Sequence, residues 1–214
     1  MEMDLPKTLQ QKLDEGRAYR KVDAFEIRSA GEDEMIVEGY ATTFNEPYEL
    51  LREGGFIVRE QVAADAFAET DMSDVIMQYD HEGRVFARQS NGTLQLTPDE
   101  HGLKIRADLS GTEIGRQLYE EIRGGYTDKM SFGFTVDQDE RLITEEDGET
   151  TILRTITRIG KLYDVSAVSL PANNATEISA RSYSDGVIAE LTEERRQREE
   201  RERQKQKIRI MLDL

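Results

Sequence analysis

The chain has 214 residues, and its 44 acidic side chains outnumber the 28 basic ones to give a net charge of -16. This length suits one domain with tails, and the charge argues against general affinity for nucleic acid or anionic membranes. The absence of cysteine excludes disulfides, thiolate catalysis and cysteine-ligated metals. Without an apolar signal segment or a run of about 20 apolar residues, we expect an intracellular protein whose partners are proteins.

The N-terminal third predicts a polar leader followed by strands. Residues 1–21 are mostly polar and suit a weak helix or loose leader. Alternating apolar residues predict strands over 22–28 and 35–41, joined by a turn at 30–33. The alanine-rich stretch 61–70 predicts a short helix with Val62, Ala66 and Phe67 facing inward.

Only two histidines occur in the chain, and they stand in different contexts. His81 follows the apolar strand 75–79, at a strand end where a scaffold can hold a reactive group. His101 lies in the loop 98–102 of a predicted hairpin, which favours a solvated turn residue.

The stretch 129–136 predicts a strand with two different faces. Met130, Phe132 and the following alternate residues form an apolar face, while Ser131 and Gly133 share the other. Before it, a helix capped by Thr112 carries an apolar stripe and ends at Gly124. After it, the acidic stretch 137–149 predicts a mobile loop, and two more strands are expected around Gly160.

Composition changes sharply after about Ser184. Residues 193–207 contain no apolar side chain, which favours an isolated solvated helix or a disordered tail. We therefore predict a leader over 1–21, a domain over 22–183 and a charged tail over 184–214. Many short strands with few helices predict a mainly β, α+β fold, a compact closed or nearly closed β-barrel with peripheral helices.

Three residues offer the parts of a serine nucleophile system: Ser131, His81 as a base, and Asp164 in the last predicted strand. Each also has a structural interpretation, as a strand serine, a surface histidine and a paired buried acid, and the pattern alone leaves both open. A zinc-protease helix fails because Val85 replaces the second histidine, and phosphate-loop and dinucleotide motifs are absent. We expect no metal or cofactor.

With these residues in view, the chain resembles the prohead maturation serine proteases of tailed phages, whose fold is related to that of the herpesvirus assemblins. The resemblance covers about 22–181 and rests on the order of several short motifs. They are Gly39-Tyr40-Ala41-Thr42-Thr43-Phe44, Ala64-Asp65-Ala66-Phe67, Asp80-His81, Gly102-Leu103, Met130-Ser131-Phe132-Gly133-Phe134, Tyr163-Asp164-Val165-Ser166-Ala167-Val168 and Pro171-Ala172-Asn173.

The resemblance implies His81 as general base, Ser131 as nucleophile and Asp164 as the orienting acid. Assemblins use a second histidine as third member, which here would be His101, but its loop context favours Asp164. The family implies an enzyme inside the procapsid, in the host bacterial cytoplasm. It would cleave scaffolding protein or the scaffolding segment of the major capsid protein, and usually itself.

Two other interpretations stay open at this point. One is a non-catalytic capsid-assembly protein that binds coat subunits, with the charged C-terminal segment serving as scaffold. The other is an unrelated β-barrel binding protein.

Overall fold

The structure is a computed structural model that describes residues 15–29, 35–168 and 174–212. The part of the predicted leader before residue 15 and the turn at 30–33 lie outside the described residues, whereas residues 18–21 of that leader belong to the first strand. Within those ranges the chain forms ten strands and two helices. They are β1 (Ala18–Ser29), β2 (Ile36–Thr43), β3 (Tyr48–Glu53), β4 (Phe56–Val62), β5 (Ile76–Tyr79), β6 (Glu82–Arg88), β7 (Leu94–Pro98), β8 (Gly102–Asp108), α1 (Glu113–Arg123), β9 (Lys129–Glu146), β10 (Glu149–Val168) and α2 (Asn174–Leu212).

The strands form one sheet in the order β3-β4-β10-β9-β1-β2-β8-β7, and β5 joins β10 off this path with β6 beside it. Most neighbours are antiparallel, but β10 pairs in parallel with both β4 and β5. The predicted mainly β, α+β class is confirmed. Among the described strands the path does not close on itself, so the closed barrel stays a prediction.

The main core is built from the apolar faces that alternation predicts. Met130, Phe132 and Phe134 on β9 are fully buried. Helix α1 begins as expected, because the Thr112 hydroxyl accepts a 3.0 Å hydrogen bond from the Gly115 amide. Its Leu118 and Ile122 pack into the same core.

The helix predicted over 61–70 is wrong. Residues 61 and 62 complete β4, where Thr155 and Ile156 of β10 pair with them. The chain then makes successive tight turns, with the amide of Ala66 bonded to the carbonyl of Ala63 and that of Ala68 to Asp65. Pairing with β10 therefore overrides the helix propensity of the alanines, although Val62, Ala66 and Phe67 are buried as expected.

The mobile loop predicted over 137–149 is also wrong. Strand β9 continues to Glu146, turns at Asp147-Gly148 and pairs along its length with β10. The two strands expected around Gly160 are one strand, which carries its bulges between Ile156 and Lys161 and again between Leu162 and Asp164. Charged side chains concealed this hairpin because β9 is exposed from Glu140 to Glu146, although β10 opposite it buries alternate residues from Thr150.

Helix α2 docks on the sheet with its first half and projects with its second. Val187 is buried against Val58 and Ile152, and Leu191 is the last apolar residue of this cluster. From 196 to 209 every residue is exposed. Neither described helix is long and apolar enough to cross a membrane.

We predict that Val187→Asp lowers the free energy of unfolding by more than about 2 kcal/mol, because it buries a carboxylate in an apolar contact. The matched control is Gln204→Asp on the exposed end of the same helix, which should change stability by less than about 0.5 kcal/mol. Urea unfolding of both variants measures the difference. Equal stability of the two variants would mean that α2 does not dock through Val187.

Candidate active site

The β9–β10 hairpin sets two of the three predicted site residues on neighbouring strands. Ser131 pairs with Ser166, and Gly133 pairs with Asp164. Because side chains alternate along a strand, Ser131 faces away from the apolar face that Phe132 forms. The hairpin thus holds a hydroxyl and a carboxylate on one side of the sheet.

The third residue, His81, lies in the tight turn between β5 and β6. Asp80 and His81 have φ angles of 49° and 61°, so two consecutive residues adopt the left-handed conformation of a two-residue hairpin turn. The Asp80 amide bonds to the Ala167 carbonyl of β10 at 3.0 Å. Parallel pairing of β5 with β10 therefore places His81 next to the β9–β10 hairpin.

These three side chains form one hydrogen-bonded line. The Nδ1 atom of His81 lies 2.5 Å from Oδ1 of Asp164, and its Nε2 lies 2.5 Å from Oγ of Ser131. A carboxylate only accepts hydrogen bonds, so Nδ1–H donates to Asp164. Nε2 of the neutral ring is then free of hydrogen and faces the serine hydroxyl.

Ser166 adds a further contact to the carboxylate, and sequence reasoning missed it. Its hydroxyl donates to Oδ1 of Asp164 at 3.0 Å and lies 3.2 Å from Nδ1 of His81. The sequence did contain a signal for it, because Ser166 is two residues after Asp164 and residues two apart on a strand share a face.

Tyr19 and Gly133 shape the space around the carboxylate. The Tyr19 ring meets the His81 ring edge-on, with 4.6 Å between centroids. Burial and then the charge of Asp164 raise the pKa of the Tyr19 phenol, so it stays neutral. A Cβ atom at Gly133 would lie 2.4 Å from Oδ2 of Asp164 and 2.8 Å from the Tyr19 ring, so only glycine fits there.

The site is covered. Ser131 has no exposed surface, and His81 and Asp164 are 1% and 2% exposed. The cover is β1, whose residues 18–21 pair antiparallel with residues 131–134 of β9. The Ser131 hydroxyl lies 2.8 Å from the carbonyl oxygen of Arg20.

His101, the alternative third residue, and the two arginines that follow His81 in sequence lie outside the hydrogen-bonded line. His101 is an exposed turn residue whose ring contacts Tyr40, and Asp164 occupies the place on His81 that a second histidine would take. Arg88 pairs with Asp74. Arg84 lines a cleft of about 600 Å³ beside the His81 turn. The described residues hold no group of three histidines or acids suited to a metal ion.

A hydroxyl, an imidazole and a carboxylate in this order form the arrangement found in serine hydrolases on unrelated folds. The chain belongs to the caudovirus prohead serine protease family, whose model matches residues 23–187. The resemblance seen in the sequence is thereby confirmed. Comparisons with curated proteins and with solved structures found no match.

We predict that Gly133→Ala lowers the hydrolytic rate at least about tenfold, because the new methyl group displaces the Asp164 carboxylate that orients His81. The control is Gly111→Ala, where an added Cβ meets no atom within 4 Å. Rates of peptide-bond hydrolysis and thermal unfolding curves of both variants provide the comparison. A fully active Gly133→Ala enzyme would contradict the role of this contact.

Ser166→Ala removes one hydrogen bond to the carboxylate and leaves the line of three intact. We expect a loss of about 10- to 150-fold in rate, since a hydrogen bond to a charged group contributes about 1.5–3 kcal/mol. The exposed Ser110→Ala variant is the control, and initial rates are the measurement. A loss as large as that caused by removing Ser131 would instead assign the nucleophile to Ser166.

Proposed function

We propose that this protein is a serine endopeptidase that acts during procapsid maturation, with Ser131 as nucleophile, His81 as general base and Asp164 as orienting acid. The observation that carries the proposal is the hydrogen-bonded line from Asp164 through His81 to Ser131. It occurs in a chain of the prohead serine protease family, and membership assigns a protease role in capsid maturation.

The geometry suits acyl transfer. His81 takes the proton of Ser131 as the hydroxyl attacks a peptide carbonyl, and it returns that proton to the leaving amine. Asp164 fixes the tautomer of the ring and stabilises the imidazolium that forms. Burial of all three groups strengthens these electrostatic contributions, because little water screens them.

The substrates follow from the family rather than from a visible groove. The proposed targets are scaffolding protein or the scaffolding segment of the major capsid protein, and the enzyme itself. The site of action is the interior of the procapsid in the bacterial host. A net charge of -16 fits an enzyme held there by protein contacts and repelled by DNA.

A second candidate is a non-catalytic assembly protein that binds coat subunits. The complete burial of Ser131 under β1 favours it, because a covered hydroxyl reaches no external substrate. The protease requires β1 to move away from Ser131 before an external substrate can bind, whereas the assembly protein does not.

Co-expression with the coat and scaffolding proteins of the same phage, followed by intact-mass spectrometry, tests the proposal. The wild-type chain should trim one of them, and Ser131→Ala should reduce that cleavage by about 10⁴-fold or more. The exposed Ser110→Ala variant should behave as wild type.

Other outcomes separate the candidates. Cleavage that survives in Ser131→Ala would assign the nucleophile elsewhere. Assembly of uncut coat subunits with the wild-type protein would support the non-catalytic candidate, and absence of both assembly and cleavage would count against both candidates.

A further inference from the structure

The segment that covers the site lies outside the part of the chain that matches the family model. The match to the family model begins at residue 23, whereas residues 18–21 pair with β9. Sheet pairing then shifts register between Lys21 and Glu26 before β1 continues. The covering segment thus lies just before the residues that match the family model.

Its placement matches that of a peptide substrate. The carbonyl oxygen of Arg20 lies 2.8 Å from the Ser131 hydroxyl, so the peptide bond between Arg20 and Lys21 is the one beside the nucleophile. The preceding residue, Tyr19, packs against the ring of His81. An extended peptide added to the strand next to a nucleophile gains affinity from main-chain hydrogen bonds and specificity from alternate side chains.

The side chain of Arg20 enters a buried acidic site. Its Nε and Nη2 atoms lie 2.5 and 3.1 Å from the two carboxylate oxygens of Glu60, a paired contact suited to a planar guanidinium. Arg20 is 1% exposed and Glu60 has no exposed surface. A third contact, 2.9 Å, joins Nη1 to the carbonyl oxygen of Tyr19.

The charges around Glu60 balance only when Arg20 is present. Arg154 donates to Glu60 at 2.8 Å and also pairs with Asp139, and the Tyr48 hydroxyl donates to Glu60 at 2.6 Å. With Arg20 the group holds two cations and two carboxylates. Without Arg20 it has one carboxylate in excess at a buried position, which is costly until another cation enters.

We propose that Glu60 forms the bottom of the pocket that selects the residue before the cleaved bond, and that Arg20 occupies it as the enzyme's own first substrate residue. The inference rests on the proposed protease function and adds a specificity to it, because such an enzyme would cleave after arginine. The first bond cut is that between Arg20 and Lys21.

The reaction balances with water as the only co-reactant. Ser131 Oγ bonds to the carbonyl carbon of Arg20, the bond to the Lys21 nitrogen breaks, and His81 passes the serine proton to that nitrogen. Water then attacks the ester, which returns the proton to Ser131 and leaves a carboxylate on Arg20. The single hydroxyl hydrogen of Ser131 faces two acceptors, His81 Nε2 and the Arg20 carbonyl oxygen, so attack requires that carbonyl group to turn its carbon toward Oγ.

The experiment follows cleavage in the full-length chain by intact mass. Wild type should release the fragment 1–20, whereas Ser131→Ala should not. Arg20→Gln and Glu60→Gln should each slow the cut between residues 20 and 21 by about 100-fold or more, since each leaves a buried charge without its partner. The double variant, which restores the charge balance, should regain cleavage by at least about tenfold.

The same enzymes are then assayed on the peptide Gly-Arg-Ala-Tyr-Arg-Lys-Val-Asp, which copies residues 16–23, and on a version with glutamine at the fifth position. Wild type should prefer the arginine peptide by about 100-fold or more, and Glu60→Gln should lose that preference. The matched control is Glu38→Gln, which removes a carboxylate that pairs with Lys104 and Arg106 of β8 and should keep the preference. Thermal unfolding of each variant reports any purely structural effect.

The outcomes separate this inference from the proposed function. If coat or scaffolding protein is trimmed in a Ser131-dependent way while the 20–21 bond stays intact, the protease function holds and the specificity is wrong. If the Glu60→Gln enzyme still prefers arginine, even with lowered stability, the Arg20–Glu60 contact is only a structural ion pair. Absence of any Ser131-dependent cleavage would overturn both.

Discussion

The pairing register of β9 and β10 is the constraint on which the rest of the site depends. It sets Ser131 opposite Ser166 and Gly133 opposite Asp164. A slip of one residue would turn Phe132 toward His81 and bury the serine in the apolar core, because side chains alternate along a strand. The long hairpin and the two parallel neighbours of β10, β4 and β5, hold this register. Much of the sheet thus serves to keep two strands aligned.

The local sequence pattern correctly predicted those elements whose structure depends mainly on nearby residues. Alternation located most strands, and the cap at Thr112 located the start of α1. It failed where pairing overrode composition, at the alanines of 61–70 and in the charged arm of the hairpin. Glu140 and Arg141, for example, belong to a strand only because β10 lies beside them.

The site, too, could be predicted from the sequence only in part. Three reactive residue types in a suggestive order could be selected from the sequence, and the structure brings them within hydrogen-bonding distance of one another. The contact between Arg20 and Glu60 could not be predicted, since it joins residues 40 positions apart through an irregular part of the sheet. Nor does any sequence pattern indicate that β1 covers Ser131.

The projecting half of α2 has an electrostatic consequence. Residues 193–207 carry seven basic and five acidic side chains, while the chain as a whole has a net charge of -16, so the negative charge resides on the body. The exposed stretch 196–209 is about 20 Å long at 1.5 Å per residue, more than twice the screening length in physiological salt. The molecule is therefore an electric dipole with a weakly positive arm. Near any negative surface, a neighbouring copy included, the arm is the end that approaches first.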